Sequence, residues 1–199
     1  MTNSESQKRL AERRGLESDV YQPAEDSGLL AEAAIESLSE PRVVLEVGTG
    51  SGWVAQQVGE HTDARVIGSD LNPHATHQAR DRGVEAVRAD LLDPFADGVF
   101  DAVVFNPPYL PTDPENEWGD WMEHALSGGE DGRRLIVPFV ETVGRVLAPG
   151  GEVYLLVSSL TGYDTVVEVA ENAGFVVDDI AQESYPYEVL SILRLRAVI

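Results

Sequence analysis

The stretch RVVLEVGTGSG, residues 42–52, carries an apolar run, broken only by Glu46, into glycines at every second position. Such a run reads as a strand buried on both faces, the pattern of a parallel sheet. Glycine lets the backbone turn tightly and come close to a ligand. The helix expected next, WVAQQVGEH (53–61), would add the free N–H groups of its first turn. The spacing departs from the dinucleotide pattern G-x-G-x-x-G, because Gly52 comes one residue early. A smaller nucleoside therefore fits it better than a pyrophosphate. Alone, the stretch is also compatible with a tight turn that holds nothing.

Outward from this point, strands and helices alternate. ARVIGSD (64–70) reads as a second strand, followed by a helix that starts near Pro73, a favoured first-turn residue. VEAVRAD (84–90) and DAVVFN (101–106) are a third and a fourth strand. A helix is expected from about Gly132 to Leu147, with Pro138 either kinking it or marking its true start. GEVYLLVSS (151–159) is a strand, TVVEVAENAG (165–174) a helix closed by glycine, and FVVDDIAQES and VLSILRLRAV two consecutive strands. Upstream, residues 27–38 are helix-like, with Asp26 or Ser27 as N-cap. The expected architecture is α/β, a doubly wound, mostly parallel seven-stranded sheet with an antiparallel strand at its C-terminal end. Residues 1–19 form an arm and 20–199 one domain. The linker from Leu110 to Gly129 is long for a compact domain. With Trp118 and Trp121 in it, it is expected either to shape a substrate cleft or to anchor itself.

Composition narrows the classes. The 199 residues suffice for one full-sized core and are 43% hydrophobic. No run approaches the roughly 18 apolar residues of a membrane span, and the first twenty lack the apolar stretch of a signal peptide. There are no cysteines, which excludes disulfides and thiolate metal sites. His74 and His77 share a helix face but have no evident third ligand, and His61 and His124 read as surface residues, so no metal is expected. A cytoplasmic location is the expectation. Fourteen basic residues, with Lys8 the sole lysine, against thirty-five acidic ones give a net charge of −21. That balance predicts a surface hydrated in concentrated salt and a halophilic archaeal origin, with an ordinary acidic mesophilic protein as the alternative. It opposes nucleic-acid binding at low salt, although in molar salt screening shrinks to ~3 Å.

Carboxylates recur at the strand ends. Asp70 ends the second strand, where it can accept both hydroxyls of a ribose. Asp90 ends the third, where it can accept an adenine amino group, with Leu91 as an apolar wall. Each alone could cap a helix. Together they lie where doubly wound sheets bind ligands. Glu46, just before the glycines, can face the cationic amino-acid end of S-adenosylmethionine, and this one ligand accounts for all these features.

The fourth strand ends on Asn106-Pro107-Pro108-Tyr109, beside the expected methyl donor. A planar amide or exocyclic base nitrogen is a poor nucleophile because its lone pair is delocalised. Accepting both of its N–H bonds, one at Asn106 Oδ1 and one at the Pro107 carbonyl, would aim the lone pair at the methyl group. The prolines fix those acceptors, and Tyr109 can stack on the planar group and favour a nearby cation. No strong base is needed at the start, since the proton leaves after the nitrogen becomes cationic.

With these residues in place the chain resembles the HemK-like class I methyltransferases, which carry N-P-P-Y and modify glutamine amides. VYQPAEDSGLL (20–30), FNPPYLP, ALSGGEDGRRLI and QESYPYEVLSILRL resemble the archaeal and eukaryotic branch that acts on class I release factors. The resemblance covers nearly everything from Val20 onward, without the separate N-terminal substrate domain of the bacterial enzymes. It implies methylation of the glutamine in a release factor's Gly-Gly-Gln loop. It maps donor binding onto Tyr21, Ser27, Glu46, Gly48, Gly50, Asp70, Leu71, Asp90, Leu91 and Asn106, with Tyr21, Pro23 and Asp26 closing over the donor. Catalysis maps onto Asn106, Pro107 and Tyr109. It also implies a heterodimer with a small zinc-binding activator, and the strand near Val84–Asp90 is the sheet edge that such a partner could pair with.

Because N-P-P-Y also serves adenine N6 chemistry, a nucleic-acid amino methyltransferase is the main rival, opposed by the missing recognition domain and basic patch. A protein-lysine methyltransferase stays open. A non-catalytic S-adenosylmethionine-binding protein fits less well because every catalytic position is filled, and an NAD-dependent oxidoreductase is disfavoured by the glycine spacing. Arg133 and Arg134 could steer substrate or simply be solvated.

Overall fold

The computed structural model describes residues 19–112 and 121–198. The arm before Asp19, Trp118 and the centre of the long linker lie outside the described residues. Seven strands form one sheet in the order β3-β2-β1-β4-β5-β7-β6: β1 Val43–Val47, β2 Arg65–Asp70, β3 Glu85–Arg88, β4 Phe100–Phe105, β5 Leu147–Ser158, β6 Phe175–Ser184 and β7 Val189–Ala197. β1 to β5 are parallel, and β7 runs antiparallel between β5 and β6. The helices are α1 Glu25–Ser37, α2 Trp53–His61, α3 Pro73–Asp81, α4 Trp121–Leu126, α5 Ile136–Val143 and α6 Tyr163–Asn172.

Alternate residues of the central strands feed two cores. Val44, Val104, Tyr154 and Ile192 pack on the face covered by α1 and α2, through Leu30, Ala34, Val54 and Val58. Leu45, Val103, Val153 and Leu193 pack on the other face against Phe139, Val143 and Val166 of α5 and α6. Burial on both faces is why these strands read as continuous apolar runs. The strand order reverses between β1 and β4, so their C-terminal ends border the crevice where open α/β sheets bind ligands. The expected seven-stranded, mostly parallel sheet is present, with the third strand at its edge and an antiparallel C-terminal end.

Three local expectations differ. Helix α1 starts at Glu25 with Ala24 as N-cap, so Asp26 and Ser27 sit inside its first turn. The helix expected over 132–147 is only Ile136–Val143, because Gly132 is left-handed (φ +75°) and breaks the run; Pro138 falls in the first turn, where no kink follows. Strand β3 ends at Arg88, two residues before Asp90. No described helix is long and apolar enough to cross a membrane.

Candidate active site

At the crevice a cavity of about 310 Å³ opens across the ends of β1, β2, β3 and β4. Its lining includes Glu46 of β1 with Gly48 and Gly50 of the turn after it, Asp70 at the end of β2 with Leu71 behind it, and Asp90 and Leu91 after β3. Asn106, Pro107 and Tyr109 line it after β4, and Tyr21, Pro23, Asp26 and Ser27 from the N-terminal side. Every residue singled out from the sequence as binding or catalytic therefore borders one space. Trp121 and the exposed His124 also border it, which favours a cleft-shaping role for the end of the linker.

The glycine turn is built for close approach. Gly48 and Gly50 are left-handed (φ +63° and +51°), a conformation open to glycine at little cost. A Cβ on Gly50 would lie 3.4 Å from the Tyr21 carbonyl, so the segment before α1 passes directly over the turn. Asn72 Nδ2 holds that segment by donating to the Asp19 carbonyl at 2.6 Å.

Glu46 is 5% exposed. Its Oε2 accepts from the Thr49 hydroxyl and, at 2.9 Å, from the Ala55 N–H. Burial raises its pKa to about 8 from an ordinary 4.5, and the Asp70 carboxylate pushes it the same way. A buried acid held near neutrality is suited to exchange its proton for a bound cation. Gly68, the register partner of Glu46 on β2, leaves the space that Thr49 fills: a Cβ there would sit 2.7 Å from Thr49 Oγ1.

Asp70 is half-buried, and its Oδ2 and Oδ1 accept from the Gly50 and Asn72 N–H groups at 2.9 and 2.8 Å. Burial nevertheless raises its pKa. It thus braces the glycine turn, and each oxygen keeps a lone pair for a hydroxyl donor. Asp90 is exposed and precedes Leu91, whose left-handed backbone (φ +43°) is rare for a residue with a Cβ. Leu71 is 45% exposed beside the cavity, an apolar surface of the kind a nucleoside covers.

At the end of β4, Asn106 Nδ2 donates to Asp26 Oδ2 at 3.0 Å. Its Oδ1 is buried without a hydrogen-bond partner. Buried acceptors almost always have partners, so this one marks where a ligand N–H would go. Pro107 is buried and Tyr109 half-buried. Burial and the Asp26 and Glu188 carboxylates push the Tyr109 phenol pKa up, so the ring stays neutral. Ser27 Oγ is spent on Asp26 Oδ1 at 3.2 Å. Arg133 is tied to the Thr161 carbonyl and Asp131, which makes it a fold contact, while Arg134 borders the cavity. Sequence reading missed Thr49 and Gly68. The signal for them was a glycine in the middle of a strand, which marks a close approach.

The residues fit S-adenosylmethionine: a buried acid for its ammonium, a carboxylate for its ribose, and apolar walls with Asp90 for its base. A model of a methyltransferase domain matches residues 44–127. The putative protein N5-glutamine methyltransferase of Methanocaldococcus jannaschii is 32% identical over 90% of this chain and 92% of its own. The human methyltransferase HEMK2 is 32% identical over 91% of each. Among solved structures, a chain of the E. cuniculi Mtq2–Trm112 complex, responsible for methylating the eRF1 termination factor, superposes with a TM-score of 0.76. It is 31% identical, over 91% of this chain and 100% of that one. With the sheet order and the site geometry, these relatives establish that the chain belongs to the HemK-like class I methyltransferases, on their archaeal and eukaryotic side, and is an S-adenosylmethionine-dependent enzyme.

Proposed function

We propose that the enzyme methylates the side-chain amide nitrogen of the glutamine in the Gly-Gly-Gln loop of a class I release factor. The observation that carries this reading is the buried, unpartnered Asn106 Oδ1, an acceptor suited to a planar NH2. The Pro107 carbonyl would take the second N–H, and Tyr109 would stack on the amide plane. Two accepted N–H bonds fix the nitrogen and aim its lone pair. Relatives named for glutamine N5-methylation and for eRF1 methylation support the choice of amide over base.

The cofactor supplies an electrophilic methyl group. On this chain, Glu46 would hold its ammonium, Asp70 its ribose hydroxyls, and Asp90 with Leu71 and Leu91 its base. Gly48 and Gly50 would allow the backbone to approach, Ser27 would contact the donor, and Tyr21 and Pro23 would close over it. The nitrogen becomes cationic as it is methylated and loses its proton afterwards, so no residue has to act as a strong base beforehand.

The partner in this reading is a small zinc-binding activator that pairs with the edge strand near Val84–Asp90. A strand with one side unpaired needs such cover, and a Trm112 partner accompanies the Mtq2 relative. The domain spans 20–199, the setting is the cytoplasm of a halophilic archaeon, and nucleic acid is not the substrate. The test incubates the enzyme, with and without the activator, with labelled donor and either release factor or DNA in molar salt. Label on the Gly-Gly-Gln glutamine supports the reading; label on DNA alone overturns it. Amide hydrogen exchange on the complex should slow at Glu85–Arg88, and unchanged exchange there would move the activator elsewhere.

A further inference from the structure

An amide side chain has two ends of nearly equal shape, and only one of them can serve this reaction. If Asn106 turned over, its NH2 would face the substrate NH2 and two donors would meet. The environment of the other end decides between the two orientations. Asn106 Nδ2 donates to Asp26 Oδ2 at 3.0 Å, where the turned amide would set oxygen against carboxylate oxygen. Asp26 is 6% exposed and itself held: its Oδ1 accepts from the Ser27 N–H at 2.6 Å and from Ser27 Oγ at 3.2 Å. The Tyr21 hydroxyl donates to it as well, at 3.0 Å to Oδ2.

We propose that Asp26 is a positioning residue of the methyl transfer, holding the Asn106 amide with its oxygen toward the substrate nitrogen. This rests on the reading that Asn106 Oδ1 accepts from a planar NH2. It gives Asp26 a role distinct from closing over the donor, and it links the segment above the donor to the substrate end of the site through one carboxylate.

The test is a swap of the pair. Asp26→Asn leaves either end of the Asn106 amide acceptable and should lower kcat about 10–100-fold, the factor for removing a charge-assisted hydrogen bond. Donor affinity should change by less than about threefold, since Asp26 acts here on the amide end. Asn106→Asp sets two carboxylates side by side and should lower kcat at least about 100-fold. In the double variant the residue-26 amide can keep its oxygen on Ser27 and donate to the new carboxylate, whose second oxygen faces the substrate. Recovery of about tenfold or more over Asn106→Asp is expected. Losses that simply multiply would overturn the pairing, as would a large fall in donor affinity in Asp26→Asn. The wild-type enzyme is assayed beside them on a Gly-Gly-Gln peptide and on an adenine-containing DNA, and the swap is read on whichever it methylates. Failure on glutamine thus counts against the substrate, and failure of the swap against Asp26. An activity-independent readout is the side-chain amide resonance of Asn106, which should move in Asp26→Ala; an unmoved signal also overturns the pairing.

Discussion

Gly52 and Ala79 touch backbone to backbone: a Cβ on Gly52 would lie 2.8 Å from both Cα and Cβ of Ala79. The N-cap of α2 thus meets the side of α3 with no room for a side chain at Gly52, and Gly52 is also left-handed (φ +81°). Gly52→Ala should cost about 2–5 kcal/mol, summing backbone strain and overpacking. Gly83→Ala has the same backbone sign (φ +89°) but open space around it, and should cost only about 1–2 kcal/mol. Denaturant melts of the two variants in molar salt separate steric from conformational cost, and equal losses would mean that the Ala79 contact yields.

Donor binding should depend on pH through Glu46. The fold keeps its proton up to about pH 8, against an ordinary 4.5. The stability from that retained proton is therefore fully present below pH 4.5 and declines as pH rises to 8. Binding runs the other way, since the ammonium pairs with the ionised form. Between pH 6 and 8 affinity should rise by up to about tenfold per unit, ending where the ammonium itself deprotonates near pH 8. Calorimetry in buffers of different ionisation enthalpy should show release of about one proton at pH 7. Glu46→Gln should bind weakly with a flat profile, and a profile still sloping in that variant would assign the proton elsewhere.

Asn106→Ala should remove turnover and leave the donor bound. A loss of about 100-fold or more in kcat is expected for deleting a group that aims the reacting atom, with donor affinity within about threefold. Equal losses in both would make Asn106 chiefly a donor contact.

The acidic surface should make stability rise with salt. A chain of net charge −21 repels itself when compact, and molar KCl cuts the screening length to ~3 Å. The melting temperature should climb between 0.1 and 2 M KCl. A flat or falling curve would mean that the fold does not depend on screening.

The sheet was legible because its central strands are buried on both faces, which writes Ala102–Phe105 as an apolar run and Val44–Val47 as one broken only by Glu46. The site was legible for a related reason: its glycines and carboxylates lie at or just beyond the ends of successive strands in chain order. What escaped was tertiary. Asp26 resembles a helix cap in sequence, yet its carboxylate is drawn to Asn106 eighty positions away, so Ala24 takes the cap. The helix expected over 132–147 looked continuous in propensity, but Gly132 adopts φ +75° and Arg133 reaches the Thr161 carbonyl. Neither contact leaves a periodic trace in the chain.

Gly68 touches no cofactor-facing surface in its own right, yet it makes room for the hydroxyl that steadies Glu46. The proton affinity of the donor site is thus written partly in the spacing between two backbones. Any side chain at position 68 would displace Thr49 and leave a buried acid with one donor fewer. On the proposed role of Glu46, a lineage drifting at that strand position would lose its grip on the methyl donor before it lost its sheet. The inherited defect would look like a binding mutation, although the altered residue lies behind the site.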